Sequence, residues 1–132
     1  MTDIHYLLLS IALTFLMIMT AAQLRSRGWT PAGMKLSFGN RDAVPEPSAL
    51  AARADRAAKN MLENLLLFVA VLAAARLAGA TSSDLVLGAQ LVFFARLLYF
   101  FVYLIGIPYL RTLLWLVGVI GMLLIGLAAI HH

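Results

Sequence analysis

Four long apolar runs, separated by polar segments, dominate the order of residues along the chain. The first, Ile4 to Ala22, predicts a helix over residues 4–24 that ends in QLRSRG, where Arg25 and Arg27 meet lipid headgroups and Gly28 supplies a cap. The segment 25–48 holds three of the four prolines with Gly33 and Gly39, and reads as a loop with Trp29 and Phe38 as interfacial anchors. Ser48 is a candidate N-cap for a second helix, 49–78, which opens on ALAARADRAAKNMLEN and continues into LLLFVAVLAAARLAG. After the turn TSSD, a third helix over 84–106 is interrupted only by Gln90 and Arg96 and stops near Gly106 and Pro108. The fourth, 109–130, carries Gly118, Gly121 and Gly126, small residues that suit close helix packing.

Composition turns these runs into spans. With 132 residues, 63% hydrophobic content, 12% charged content and a mean hydropathy of +0.93, the chain has more apolar surface than one small soluble core can hide. About 20 apolar residues cross a bilayer, so the length accommodates four spans and short connections in one domain, residues 1–132. The predicted fold class is therefore all-α, an integral membrane four-helix bundle. Met1 to Tyr6 has no Lys or Arg, so the first run lacks the basic flank of a signal peptide and is read as a mature helix.

Charge and chemistry narrow the function. There are no cysteines, which excludes disulfides, thiolate metal sites and a protein cysteine nucleophile, and leaves any thiol chemistry to a substrate's sulfur. A pI near 10.0 arises from only ten Lys and Arg, spread over helix ends, a distribution that fits anionic lipid and an anionic ligand rather than nucleic acid. His131 and His132 at the chain end are assigned no role, and no metal is expected. The first connection carries Arg25, Arg27, Lys35, Arg41, Arg53, Arg56 and Lys59, against Arg76 alone in the second, which predicts a cytoplasmic first loop and both termini on the opposite side.

The candidate site is a polar seam. Arg53, Arg56, Asn60 and Glu63 are spaced three, four and three apart, one stripe at about 100° per residue. Glu63 is followed at once by the apolar run beginning at Leu65, so its carboxylate needs a cation or a ligand ammonium beside it. Arg96, Tyr99 and Tyr103 repeat the spacing in the third helix, and an arginine inside a span marks a functional site unless it snorkels or pairs with Glu63. Arg111 follows the Gly106/Pro108 break, where a positive-inside anchor is the competing reading. Arginine forks for carboxylates, Glu63 for an ammonium and Asn60 for peptide groups describe a pocket that glutathione fits. A guanidinium beside its sulfur would favour the thiolate over a thiol of ordinary pKa, about 8.5.

The arrangement R-A-D-R-A-A-K-N-M-L-E-N, then F-F-A-R-L-L-Y-F-F-V-Y and P-Y-L-R-T, resembles the MAPEG family, the membrane-associated proteins in eicosanoid and glutathione metabolism. The resemblance spans nearly the whole chain. It implies a homotrimer with glutathione bound between neighbouring subunits near the cytoplasmic face. Arg56, Asn60, Glu63, Arg96, Tyr99 and Tyr103 are the implied glutathione contacts, with Arg53 beside them on the stripe and Arg25 donated across the subunit boundary. The thiolate-activating arginine is implied near the start of the fourth helix, where Arg111 stands, slightly out of register with the best-known mammalian enzymes; Tyr103 or Tyr99 would donate a hydrogen bond. Asn64 replaces an aromatic residue frequent in the leukotriene-forming branch, so leukotriene or prostaglandin synthesis is not implied.

The resemblance thus implies a compact bacterial inner-membrane glutathione transferase, or a peroxidase using the same thiolate, acting on lipophilic substrates from the bilayer. Two alternatives come from other classes. A non-catalytic family member would bind lipid or glutathione as a scaffold. A small four-helix multidrug exporter would need an acid embedded in the first helix, which has none beyond Asp3 at its edge.

Overall fold

The computed structural model describes residues 1–42 and 45–131; Ala43 and Val44 of the first connection and His132 lie outside the described residues. Within them the chain is all-helical: α1 (Asp3–Ser26), α2 (Pro31–Phe38), α3 (Ala49–Leu77), α4 (Ser83–Ile105) and α5 (Pro108–Ile130). Four of these, 23 to 29 residues long, are long and apolar enough to cross a membrane. At about 1.5 Å per residue each exceeds the roughly 30 Å hydrocarbon layer.

The helix α2 stands where the Pro and Gly content of residues 25–48 predicts a loop. Proline is a breaker in a helix interior, but in the first turn it costs no hydrogen bond and its φ is preset. Pro31 occupies that position, and Thr30 caps it by accepting a hydrogen bond from the Gly33 amide at 3.0 Å. Arg27 takes a left-handed conformation (φ 52°, ψ 52°) and ends α1, so the chain doubles back onto the end of that helix. A Cβ on Gly33 would stand 1.9 Å from the Arg27 carbonyl oxygen, so only glycine permits this approach. Ser48 caps α3 through its hydroxyl, which accepts from the Ala51 amide at 3.1 Å.

The spans assemble as two hairpins. In one, α1 packs on α3; in the other, α4 packs on α5 in the most extensive contact of the molecule. Gly88 and Gly121 set the spacing of the second: a Cβ on either would lie 2.6 Å from the other's carbonyl oxygen. Among the described residues α1 and α5 do not touch, while α3 and α4 meet across the bundle. Ala54, Ala57 and Ala58 on α3 are buried beside Met17 of α1 and Tyr99 and Tyr103 of α4, their small side chains letting the helices approach. Leu8, Phe15, Leu66, Leu98 and Leu123 face outward, as lipid-facing positions must. The protein is an integral membrane protein.

Not every strong polar feature lies at the loop end of the bundle. Asp3, 1% exposed, accepts a forked pair of hydrogen bonds from Arg76, with Nε at 2.8 Å from Oδ2 and Nη2 on Oδ1. This ion pair closes the N-terminus of α1 onto the C-terminus of α3 at the opposite end.

Candidate functional site

The α3–α4 crossing is built on amides and a guanidinium. Arg96, 1% exposed, donates from Nη1 to Asn60 Oδ1 at 2.8 Å and from Nη2 to Asn64 Oδ1 at 2.5 Å. Asn64 in turn donates through Nδ2 to the Asn60 carbonyl oxygen at 2.8 Å and to Asn60 Oδ1 at 3.3 Å. Among the described residues no carboxylate pairs with Arg96, and its Nε is the buried side-chain polar atom left without a partner. The pairing with Glu63 that the sequence left open is therefore replaced by two asparagines. Arg96 also lies 5.0 Å from the centre of the Tyr99 ring, and Gly118 of α5 leaves room beside its guanidinium.

Further toward the loop end, three helices converge on Tyr103. Arg56 of α3 donates from Nε to its hydroxyl at 3.1 Å, and the Arg111 guanidinium of α5 lies 4.7 Å from its ring centre. The Tyr99 and Tyr103 rings meet edge-on at 5.5 Å. Both rings are buried, yet the Tyr99 hydroxyl, which has no partner among the described residues, is not among the enclosed unpaired atoms. Arg53 serves the backbone of α4 instead, its Nε donating to the Leu104 carbonyl at 3.2 Å and satisfying the last turn of that helix.

The remaining residues of the seam face outward. Glu63 is exposed on α3 among Leu62, Leu65, Leu66 and Val69, which with it line a shallow apolar recess of about 460 Å³. The predicted stripe thus divides: Asn60 turns into the bundle together with Asn64, which was not part of the stripe, while Glu63, about 100° round the helix from Asn64, looks away from it. Arg25 at the end of α1 approaches Asp55 at 3.6 Å, and Lys59 approaches the same carboxylate at 3.1 Å. These three, with Arg41, line a groove of about 300 Å³ on the outer face of α1 and α3. On the spanning helices at this end, five arginines, Arg25, Arg53, Arg56, Arg96 and Arg111, stand against two carboxylates, Asp55 and Glu63.

The structure therefore brings together Arg56, Tyr103 and Arg111, and separately Asn60 and Arg96, while Arg25 and Glu63 stand apart on the outer surface. Asn64 is the residue that sequence reasoning passed over as a site member. Its signal was present: it follows Asn60 by one helical turn and is a second amide at the edge of an apolar run. Among the described residues no three His, Cys, Asp or Glu side chains gather as a metal-binding group.

Compared with family models, residues 4–131 match that of the MAPEG family, and the chain belongs to that family. No curated protein and no solved structure matches it. Membership associates the chain with membrane-bound glutathione and eicosanoid metabolism.

Proposed function

We propose that this MAPEG protein is a membrane-bound glutathione transferase, which joins the glutathione thiolate to lipophilic electrophiles that arrive from the bilayer. The observation that carries the reading is the convergence of Arg56 and Arg111 on Tyr103, from three different helices at one end of the bundle. The Tyr103 oxygen accepts from Arg56, so its own O–H stays free to donate. A sulfur held beside Arg111 and that O–H is favoured as thiolate, the form that attacks. The thiolate forms a C–S bond with the electrophilic carbon, the leaving group departs with its electron pair, and the thiol proton is released to water. The same thiolate would serve a peroxidase reaction on a lipid hydroperoxide.

Glutathione is held by residues of two kinds. Asn60 and the Tyr99 hydroxyl offer hydrogen bonds from within the bundle, Arg56 offers them from its exposed place beside Tyr103, and Arg96 acts through Asn60. Arg25 and Glu63 face outward, which fits a ligand lying between copies of a homotrimer, with Arg25 given to the neighbour and Glu63 receiving the ammonium. The density of basic residues around the first connection favours a cytoplasmic site in an inner membrane, with the termini opposite.

A non-catalytic scaffold is the second reading, and it draws on one observation: Arg53 and Arg96 are engaged inside the chain. The discriminating measurement is steady-state conjugation of glutathione to a chloronitrobenzene by the purified, lipid-reconstituted protein. Saturable turnover above the uncatalysed rate is expected. Saturable glutathione binding without turnover would leave the scaffold reading in its place.

A further inference from the structure

The hydrogen bonds around Asn60 dictate which of its amide atoms is presented to a ligand. A guanidinium has only donors, so the atoms facing Arg96 must be oxygens: Oδ1 of Asn60 for Nη1, and Oδ1 of Asn64 for Nη2. With its oxygen fixed in this way, the Asn64 amide nitrogen is turned toward Asn60, where it donates to both the carbonyl and Oδ1. Asn60 Oδ1 thereby accepts twice, once from each neighbour. Asn60 Nδ2 has no partner among the described residues and is not among the enclosed unpaired atoms, so it lies open.

We propose that Asn64 is a positioning residue which, together with Arg96, locks the Asn60 oxygen inward, so that Asn60 meets glutathione only as a donor, to one of its carbonyl or carboxylate oxygens. The inference rests on the glutathione reading above and deepens it. Without Asn64, Asn60 loses one of the two donors on its oxygen and Arg96 loses one of the two acceptors that hold it against α3, so the amide is held less firmly. The position also tunes specificity: a site whose open amide can only donate rejects a ligand that presents a donor there, because two facing donors leave both unpaired.

The test is a double-mutant cycle on the reconstituted protein, with glutathione itself as probe. Asn60→Leu is expected to weaken glutathione binding about tenfold and Asn64→Leu about fivefold, the scale of one or two hydrogen bonds. Turnover at saturating glutathione should stay within about twofold for Asn64→Leu, since the residue acts on binding and not on the sulfur. The deciding result is the double variant, which should bind no more weakly than Asn60→Leu alone. Losses that multiply, or an Asn64→Leu variant that binds like the parent, would overturn the assignment. Should the Leu variants fail to fold with Arg96 missing an acceptor, Asn64→Thr keeps an oxygen for that guanidinium and carries the same comparison. A parent protein that binds no glutathione overturns the transferase reading itself, a result distinct from any pattern among the variants.

Discussion

Apart from the surface pair of Arg25 with Asp55, the two ends of the bundle hold arginines in opposite circumstances. At the end where α1 begins and α3 finishes, Arg76 is matched to Asp3, which is buried and occupied on both oxygens. At the other end Arg96 is buried with neutral amide oxygens as its acceptors, Arg111 has a phenol ring, and Arg56 a phenol hydroxyl. A guanidinium matched to a carboxylate is a finished contact that ties two helices. Guanidinia satisfied by dipoles and rings retain a positive field that an anionic ligand can still enter. On the proposed reading, the difference separates a fastening from a binding end.

The contrast can be broken by removing charges one at a time. The largest effect is expected at Arg111: Arg111→Ala should lower the turnover of glutathione conjugation roughly a hundredfold, the loss typical of one preorganised charge-stabilising donor, with helix content unchanged by circular dichroism. At the opposite end, Asp3→Ala should cost about 1–2 kcal/mol of unfolding free energy in lipid and leave glutathione affinity untouched. That is less than for a fully buried pair, because the Arg76 left behind is partly exposed and can hydrate. Replacing both partners by leucine should recover most of the loss; a double variant as unstable as Asp3→Ala would mean that packing, and not the ion pair, holds this end. The smallest effect is at Glu63, where Glu63→Gln should raise the KM for glutathione about threefold with kcat retained. A fall in kcat there would place the carboxylate near the sulfur instead of the ammonium.

Much of the fold was legible because a span of some 20 apolar residues is a long and redundant signal, and Ser48 marks the α3 N-cap directly. What was lost turned on single residues. Pro31 reads as a breaker until its place in the first turn is known, which is why α2 stayed hidden. The seam on α3 was visible by spacing, but an angle of some tens of degrees decides whether a residue faces the bundle or the bilayer, and four positions do not fix that angle. Glu63 and Arg96 were therefore natural partners on paper, although the helix rotation gives Arg96 to Asn60 and Asn64. Asp3 and Arg76 were seen only as edge residues, since their pairing needs the two helix ends at one depth, a relation carried by tertiary geometry.

The contact across the bundle has an order in time as well as a place in space. A guanidinium entering a bilayer needs its acceptors there to meet it. Chains emerge from their N-termini. Asn60 and Asn64 precede Arg96 by 36 and 32 positions. The residues of α1 and α3 therefore leave the ribosome before those of α4, and the amides precede the cation that will bind them. Had the arginine been placed on α3 and the amides on α4, the same closed structure would have required the charge to enter first and alone.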